Sequence, residues 1–155
     1  MTAAQVKTQA ITSSALDTSY ISRYILFAQR KYFRDYLGKD FYDELMVEVD
    51  TTFSADNQTL VDDYIKPALA HYVVYESLPQ MRNSIAKGGV YNSLSETGDV
   101  ASDLDYGRLR EDYLSKAEAL RVEVEEYIKD QQELDSTKYP LFCGKKRQNG
   151  GIIFY

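Results

Sequence analysis

A chain of 155 residues is the size of one domain and can bury roughly 70% of its unfolded surface, so its core needs neither disulfide nor metal. Its single cysteine, Cys143, excludes an intramolecular disulfide and a cysteine-based metal site. With no apolar run near 20 residues and no apolar N-terminal stretch, neither a membrane span nor a signal peptide is expected.

Net charge is −6, but residues 138–155 hold four basic residues (Lys138, Lys145, Lys146, Arg147) and no acidic ones, which leaves −10 on residues 1–137. An acidic body with a basic tail points to a tail that has its own partner. The 14 Tyr and 6 Phe, with no Trp, supply large contact area with polar tips. Most of these rings are expected to pack as half-buried core.

Residues 1–16 are small and polar and fit an extended arm or a short helix. Asp17 or Thr18 offers an N-cap. From Ser19, the spacing of Ile21, Ile25, Ala28, Tyr32 and Tyr36 predicts an amphipathic helix, widened by Tyr20, Tyr24 and Phe27 and ended by Gly38. A shorter helix begins at Asp40, with Phe41, Leu45 and Val49 inward and Asp43, Glu44 and Glu48 toward water. Thr51 to Asn57 connects it to the next segment.

Leu60 to Met81 is the most apolar long helical stretch, with Val61, Ile65, Ala68, Tyr72, Tyr75 and Leu78 on one stripe and Leu69 and Val73 beside it. A helix with so wide an apolar face needs neighbours on several sides, which marks it as the centre of a bundle. Asp56 or Asn57 is the expected cap. Pro67 predicts either a second helix starting there or a kink near residues 64–66. Gly88-Gly89 then break the pattern, and residues 87–101 read as a projecting loop or β-hairpin anchored by Val90, Tyr91 and Leu94.

Ser102 and Asp105 resemble a capping box for a last helix, with Leu109, Tyr113, Ala117, Leu120, Val124 and Ile128 on its apolar stripe. Glu118, Glu123, Glu125 and Lys129 are expected outside, and the helix is expected to end near Glu133. The expected fold is an all-α bundle of four to five helices. It comprises an N-terminal arm over 1–16, a helical domain over 17–137 and an extended tail over 138–155.

No catalytic constellation emerges. His71, the one histidine, has no carboxylate at metal-ligand spacing, and Cys143 has no histidine nearby in sequence. Gly88-Gly89 and Gly150-Gly151 match no phosphate-binding loop. The expectation is therefore a protein that is not an enzyme, with no metal and no cofactor.

The tail carries more information. Tyr139-Pro140-Leu141-Phe142 is an apolar anchor able to fold back on the bundle. Lys145, Lys146 and Arg147 sit in a glycine-flanked linker, and Ile152, Ile153, Phe154 and Tyr155 form a β-prone apolar end. Two glycines decouple that end from the body, so it reads as an extended peptide that adds to a partner's sheet edge. Three adjacent basic residues beside an acidic body make only a weak, salt-sensitive nucleic-acid contact.

The order of motifs resembles a known family. The stretch A-Q-R-K-Y-F-R-D-Y-L-G-K-D-F-Y-D-E-L over Ala28 to Leu45 is followed by Y-I-K-P-A-L-A-H-Y-V-V-Y-E-S-L-P over Tyr64 to Pro79. A K-G-G loop, a long acidic helix and Y-P-L-F come after. Over residues 17–142 this order resembles the head-to-tail connector (adaptor) proteins of tailed bacteriophages, in the form found in phages of Bacteroidetes hosts, including crAss-like phages.

The resemblance implies a helical protomer in a twelve-subunit ring below the portal of the virion, made in the host cytoplasm. It implies three kinds of contact: with the portal, with downstream tail or ring proteins, and with passing double-stranded DNA without sequence specificity. It implies portal binding by Lys145, Lys146, Arg147, Ile152, Ile153, Phe154 and Tyr155, and subunit contacts by Gly88, Gly89, Val90, Tyr91 and Leu94. No catalytic residues carry over. The residues alone leave open a helical binding module or regulator that uses the same tail on a protein or nucleic-acid partner.

Overall fold

The computed structural model describes residues 1–10, 18–85, 103–142 and 144, and these are all-α, with no strand among them. The expected 87–101 loop, the caps Asp17 and Ser102, Cys143 and the tail from Lys145 onward lie outside the described residues.

Helix α1 (Ala3–Gln9) opens with a capping box: the Gln5 amide donates to the Thr2 hydroxyl, and the Gln5 side chain accepts from the Thr2 amide. Of the two conformations open to the N-terminal segment, residues 3–9 take the helix. Val6 and Ala10 enter the core, so this segment is part of the bundle over its described residues.

Helix α2 (Thr18–Leu37) buries Ile21, Ala28, Phe33, Tyr36 and Leu37. Gly38 follows with φ 91°, a left-handed conformation that a side chain disfavours. This lets the chain turn at once into α3 (Lys39–Val49). On α3, Phe41, Tyr42 and Leu45 are buried, while Val49, expected inward, is exposed. Glu48, expected in water, instead accepts hydrogen bonds from the Ser54 amide at 3.3 Å and the Asn57 side chain at 2.9 Å. It braces the corner leading to α4 (Ala55–Thr59), whose N-cap is Ser54 and not Asp56 or Asn57.

The proline problem is solved without a break. After α4 the backbone widens into a π-helical stretch over Leu60–Ile65, and the Lys66 amide bonds the Val61 carbonyl five residues back. Pro67 then falls in the first turn of α5 (Lys66–Ile85), where its missing N–H and bulky ring are absorbed by the widened turn. Thus α4, the π stretch and α5 form one continuous rod, and the described residues make five rods in all.

That rod is the centre of the molecule, packed by α1, α2 and α6. From Ala68 to Val74 every residue is buried, including His71, whose Nδ1 sits 2.9 Å from the Pro67 carbonyl oxygen. Helix α6 (Asp103–Leu134) runs antiparallel to it, burying Ala117, Val124 and Ile128. Leu109, at the trailing edge of the expected stripe, is 46% exposed.

Candidate interaction surfaces

The seam between α2, α5 and α6 is built from tyrosines whose hydroxyls meet carboxylates. Tyr32 and Tyr72 stack at 3.8 Å between ring centroids, and Phe33 meets Tyr72 edge-on at 6.1 Å. The Tyr32 hydroxyl donates to Glu76 Oε1 at 2.5 Å, which Lys31 Nζ also reaches at 2.6 Å. Tyr72 donates to Glu118 Oε1 at 2.8 Å, and Arg121 pairs with the other oxygen of the same carboxylate. The Tyr36 hydroxyl lies 2.9 Å from the Arg121 carbonyl oxygen and 3.1 Å from Glu125 Oε2.

Burial first, then the adjoining carboxylates, push the phenols of Tyr32, Tyr36 and Tyr72 well above the ordinary tyrosine range. Glu125 moves the other way, held below the carboxylate range first by its bond to Lys129 and then by Tyr36. These groups are satisfied by one another inside the chain, so the seam joins helices and offers no open chemistry. His71 is likewise occupied, by the Pro67 carbonyl.

A second cluster holds the chain that leads out of α6. Tyr139 is 6% exposed, its hydroxyl donating to the Asp56 carbonyl oxygen at 2.9 Å and its ring edge-on to Phe41 at 5.7 Å. Phe142 meets the same Phe41 ring at 6.5 Å. Lys138 pairs with Asp56 at 2.9 Å, which raises the lysine pKa, and Gln132 Nε2 donates to the Tyr139 carbonyl oxygen at 3.1 Å. Tyr139 takes a left-handed φ of 49°, a conformation costing a non-glycine residue on the order of 1 kcal/mol, offset here by burial of the ring. The anchor Tyr139-Pro140-Leu141-Phe142 therefore does fold back, and residues 138–142 belong to the bundle. The portal-binding candidates Lys145, Lys146, Arg147, Ile152, Ile153, Phe154 and Tyr155 come after this clasp, and Gly88, Gly89, Val90, Tyr91 and Leu94 lie between α5 and α6. All twelve are outside the described residues.

An apolar cavity of about 320 Å³ lies between α1, α2, α3 and the central rod, walled by Phe33, Leu37, Leu45, Met46, Val61 and Leu69. Gln5, Gln29, Tyr42 and Lys66 supply its polar atoms. Among the described residues no group of three or more His, Cys, Asp or Glu is placed to hold a metal ion, and no helix is long and apolar enough to cross a membrane.

Two outer faces are charged: that of α2 was not foreseen from the sequence, whereas the outward side of α6 was expected in part, through Glu123. On α2, Arg23, Arg30 and Arg34 share one exposed face with Leu26 and Phe27, which are 46% and 49% exposed. On α6, Glu123, Glu126, Asp130 and Glu133 line the solvent side, flanked by Val122 and Leu134 at 51% and 80% exposure. None of these seven charges makes an ion pair among the described residues. The available signal was the helical spacing of the arginines, on the face opposite the apolar stripe that defines α2.

The family model described as a family of unknown function, DUF6712, matches residues 33–151. The chain belongs to that family. No curated protein and no solved structure matches the chain. The DUF6712 match runs unbroken from α2 through the clasp, so it takes in the 87–101 segment and Lys145, Lys146 and Arg147 together with the bundle.

Proposed function

We propose that this DUF6712 protein is a structural head-to-tail connector of a tailed-phage virion. In this reading it forms an oligomeric ring under the portal, extends the DNA channel and joins portal to tail, with no reaction of its own. The observation that carries the reading is the run of motifs over residues 17–142 that resembles phage adaptors, laid on an all-α bundle whose seam tyrosines are bonded to carboxylates of the same chain. A protomer of that kind is rigid at its centre and leaves its loops and ends for partners.

The clasp supports a role for the tail. Tyr139 and Lys138 fix the point from which the following residues depart, so a basic and apolar peptide would leave the body at a defined place. Its Lys145, Lys146 and Arg147 would meet an acidic portal surface, and Ile152 to Tyr155 would add to a sheet edge there. The acidic bulk of the bundle suits a channel through which DNA slides without adhering.

Co-purification with the portal protein encoded in the same genome, followed by electron microscopy, tests the reading. Discrete rings on the portal are expected, and removal of residues 145–155 should abolish docking while leaving helicity and melting nearly unchanged. A chain that stays monomeric or dimeric with the portal present at high concentration sinks the connector reading and favours a binding module.

A further inference from the structure

We infer that the arginine face of α2 in one copy docks on the carboxylate face of α6 in a second copy. The contact is head-to-tail and rests on the connector reading only for the ring it would close. Arg23 to Arg34 spans about 16 Å of helix, and Glu123 to Glu133 about 15 Å, so the two stripes match in length as well as in sign. Each carries exposed apolar side chains beside its charges: Leu26 and Phe27 on α2, Val122 and Leu134 on α6.

The pairing is between molecules because it is not made within one. Inside the protomer, Arg121 and Lys129 neutralise Glu118 and Glu125, and Lys31 neutralises Glu76, yet the seven stripe charges are left without such partners among the described residues. A second copy supplies the complement to both stripes at once. Each copy has one of each, so the contact is heterologous and propagates until it closes as a ring or extends as a filament.

Nucleic acid is the other chemistry that an arginine face attracts. A polyanion is negative over its whole length and meets the acidic remainder of the chain, net charge −6, whereas a second copy, although acidic too, carries cations among its carboxylates and sets one local acidic stripe against the arginines. A single helix-on-helix contact is small beside the roughly 1,600 Å² of a standard interface. Assembly through it is therefore concentration-dependent, weakened by salt and strengthened by ring closure.

Charge exchange tests this directly, with sedimentation velocity and mass photometry of the full chain at low salt. Wild-type protein should assemble and dissociate as salt rises. R30E/R34E makes the α2 stripe acidic, like that of α6, and E126K/D130K puts two lysines at the centre of the α6 stripe in place of two carboxylates. Each should weaken association by about a hundredfold, because attraction becomes repulsion at several facing charges. An equimolar mixture of the two variants should recover assembly, since every contact between unlike variants is again complementary. All four positions are exposed, and circular dichroism verifies that both variants fold.

Association unchanged in both variants overturns the contact. So does failure of the folded mixture to recover, or a wild-type chain that stays monomeric up to its solubility limit. If R30E/R34E loses only the binding of a fluorescent DNA duplex, with self-association intact, the α2 face is a nucleic-acid surface and the inference is wrong. Wild-type rings on the portal that ignore the charge exchange would overturn this contact and leave the connector reading standing. Charge-sensitive assemblies that never bind portal would do the reverse.

Discussion

The carboxylates of α6 fall into two sets that differ in what they touch. Glu118 and Glu125 line the seam, where each accepts a tyrosine hydroxyl from another helix and a cation from α6 itself. Glu123, Glu126, Asp130 and Glu133, interleaved with them along the same helix, face water with no ion pair among the described residues. One residue type at adjacent helical positions thus serves two ends: the first set joins three helices of one molecule, and the second is left for another molecule. A carboxylate at the seam matters to stability because removing its partner strands a half-buried polar group. One on the outer face matters little to the fold.

The sharpest way to break the inner set is Tyr72→Ala. It deletes a fully buried ring stacked on Tyr32 and edge-on to Phe33, and should cost about 3–5 kcal/mol in urea unfolding. A loss below about 1 kcal/mol would mean that the seam is not the core its packing implies.

Alkaline pH attacks the same network without mutation. Tyr32, Tyr36, Tyr72 and Tyr139 have phenols raised above the unfolded value of about 10, so their contribution is fully present below that pH. It is lost as pH rises beyond it, when each tyrosinate would face burial and, at the seam, a neighbouring carboxylate. Tyrosinate absorbance should therefore appear together with loss of helical circular dichroism. Smooth titration of these phenols near pH 10 with the fold intact would contradict the burial.

Smaller effects separate the polar from the apolar part. Tyr72→Phe keeps the ring and removes only the bond to Glu118, a loss of about 1 kcal/mol in the same assay. Tyr139→Phe should cost a similar amount by removing the bond to the Asp56 carbonyl, and should speed proteolysis after residue 142. At the acid end, the depressed pKa of Glu125 gives a contribution that is present above about pH 4.5 and fades as pH falls through the lower folded value. Tyr36→Phe should flatten that part of the stability profile. Smallest of all, Glu126→Gln should change stability by no more than about 0.5 kcal/mol, which would confine any effect of this residue to association.

Much of this arrangement was legible in the chain. The 3.6-residue spacing of Ile21, Ala28 and Tyr36, of Ala68 and Tyr72, and of Ala117, Val124 and Ile128 placed three long helices and their inward faces. Gly38 marked the α2–α3 junction because few other residues accept its φ. The absence of a histidine–carboxylate pattern around His71 foretold a packed side chain. Phe33, Tyr42 and the bracing role of Glu48 were not legible, since they depend on how α3 and α4 fold against α2, which no local period encodes. Pro67 announced a disturbance but not its form, because a break, a kink and a π turn all relieve the same clash.

The sequence by itself determined the all-α class, the central place of the Leu60–Met81 stretch and the apolar anchor at 139–142, since the periodicity and apolar content of a segment follow from residue order alone. Only the tertiary structure decided which polar groups are used up within the molecule. Glu118 and Glu123 look alike along the chain, and one belongs to Tyr72 while the other is left on the surface. That difference is created when α5 and α6 pack, because a hydrogen bond needs its partner within about 3 Å and sequence separation carries no such distance.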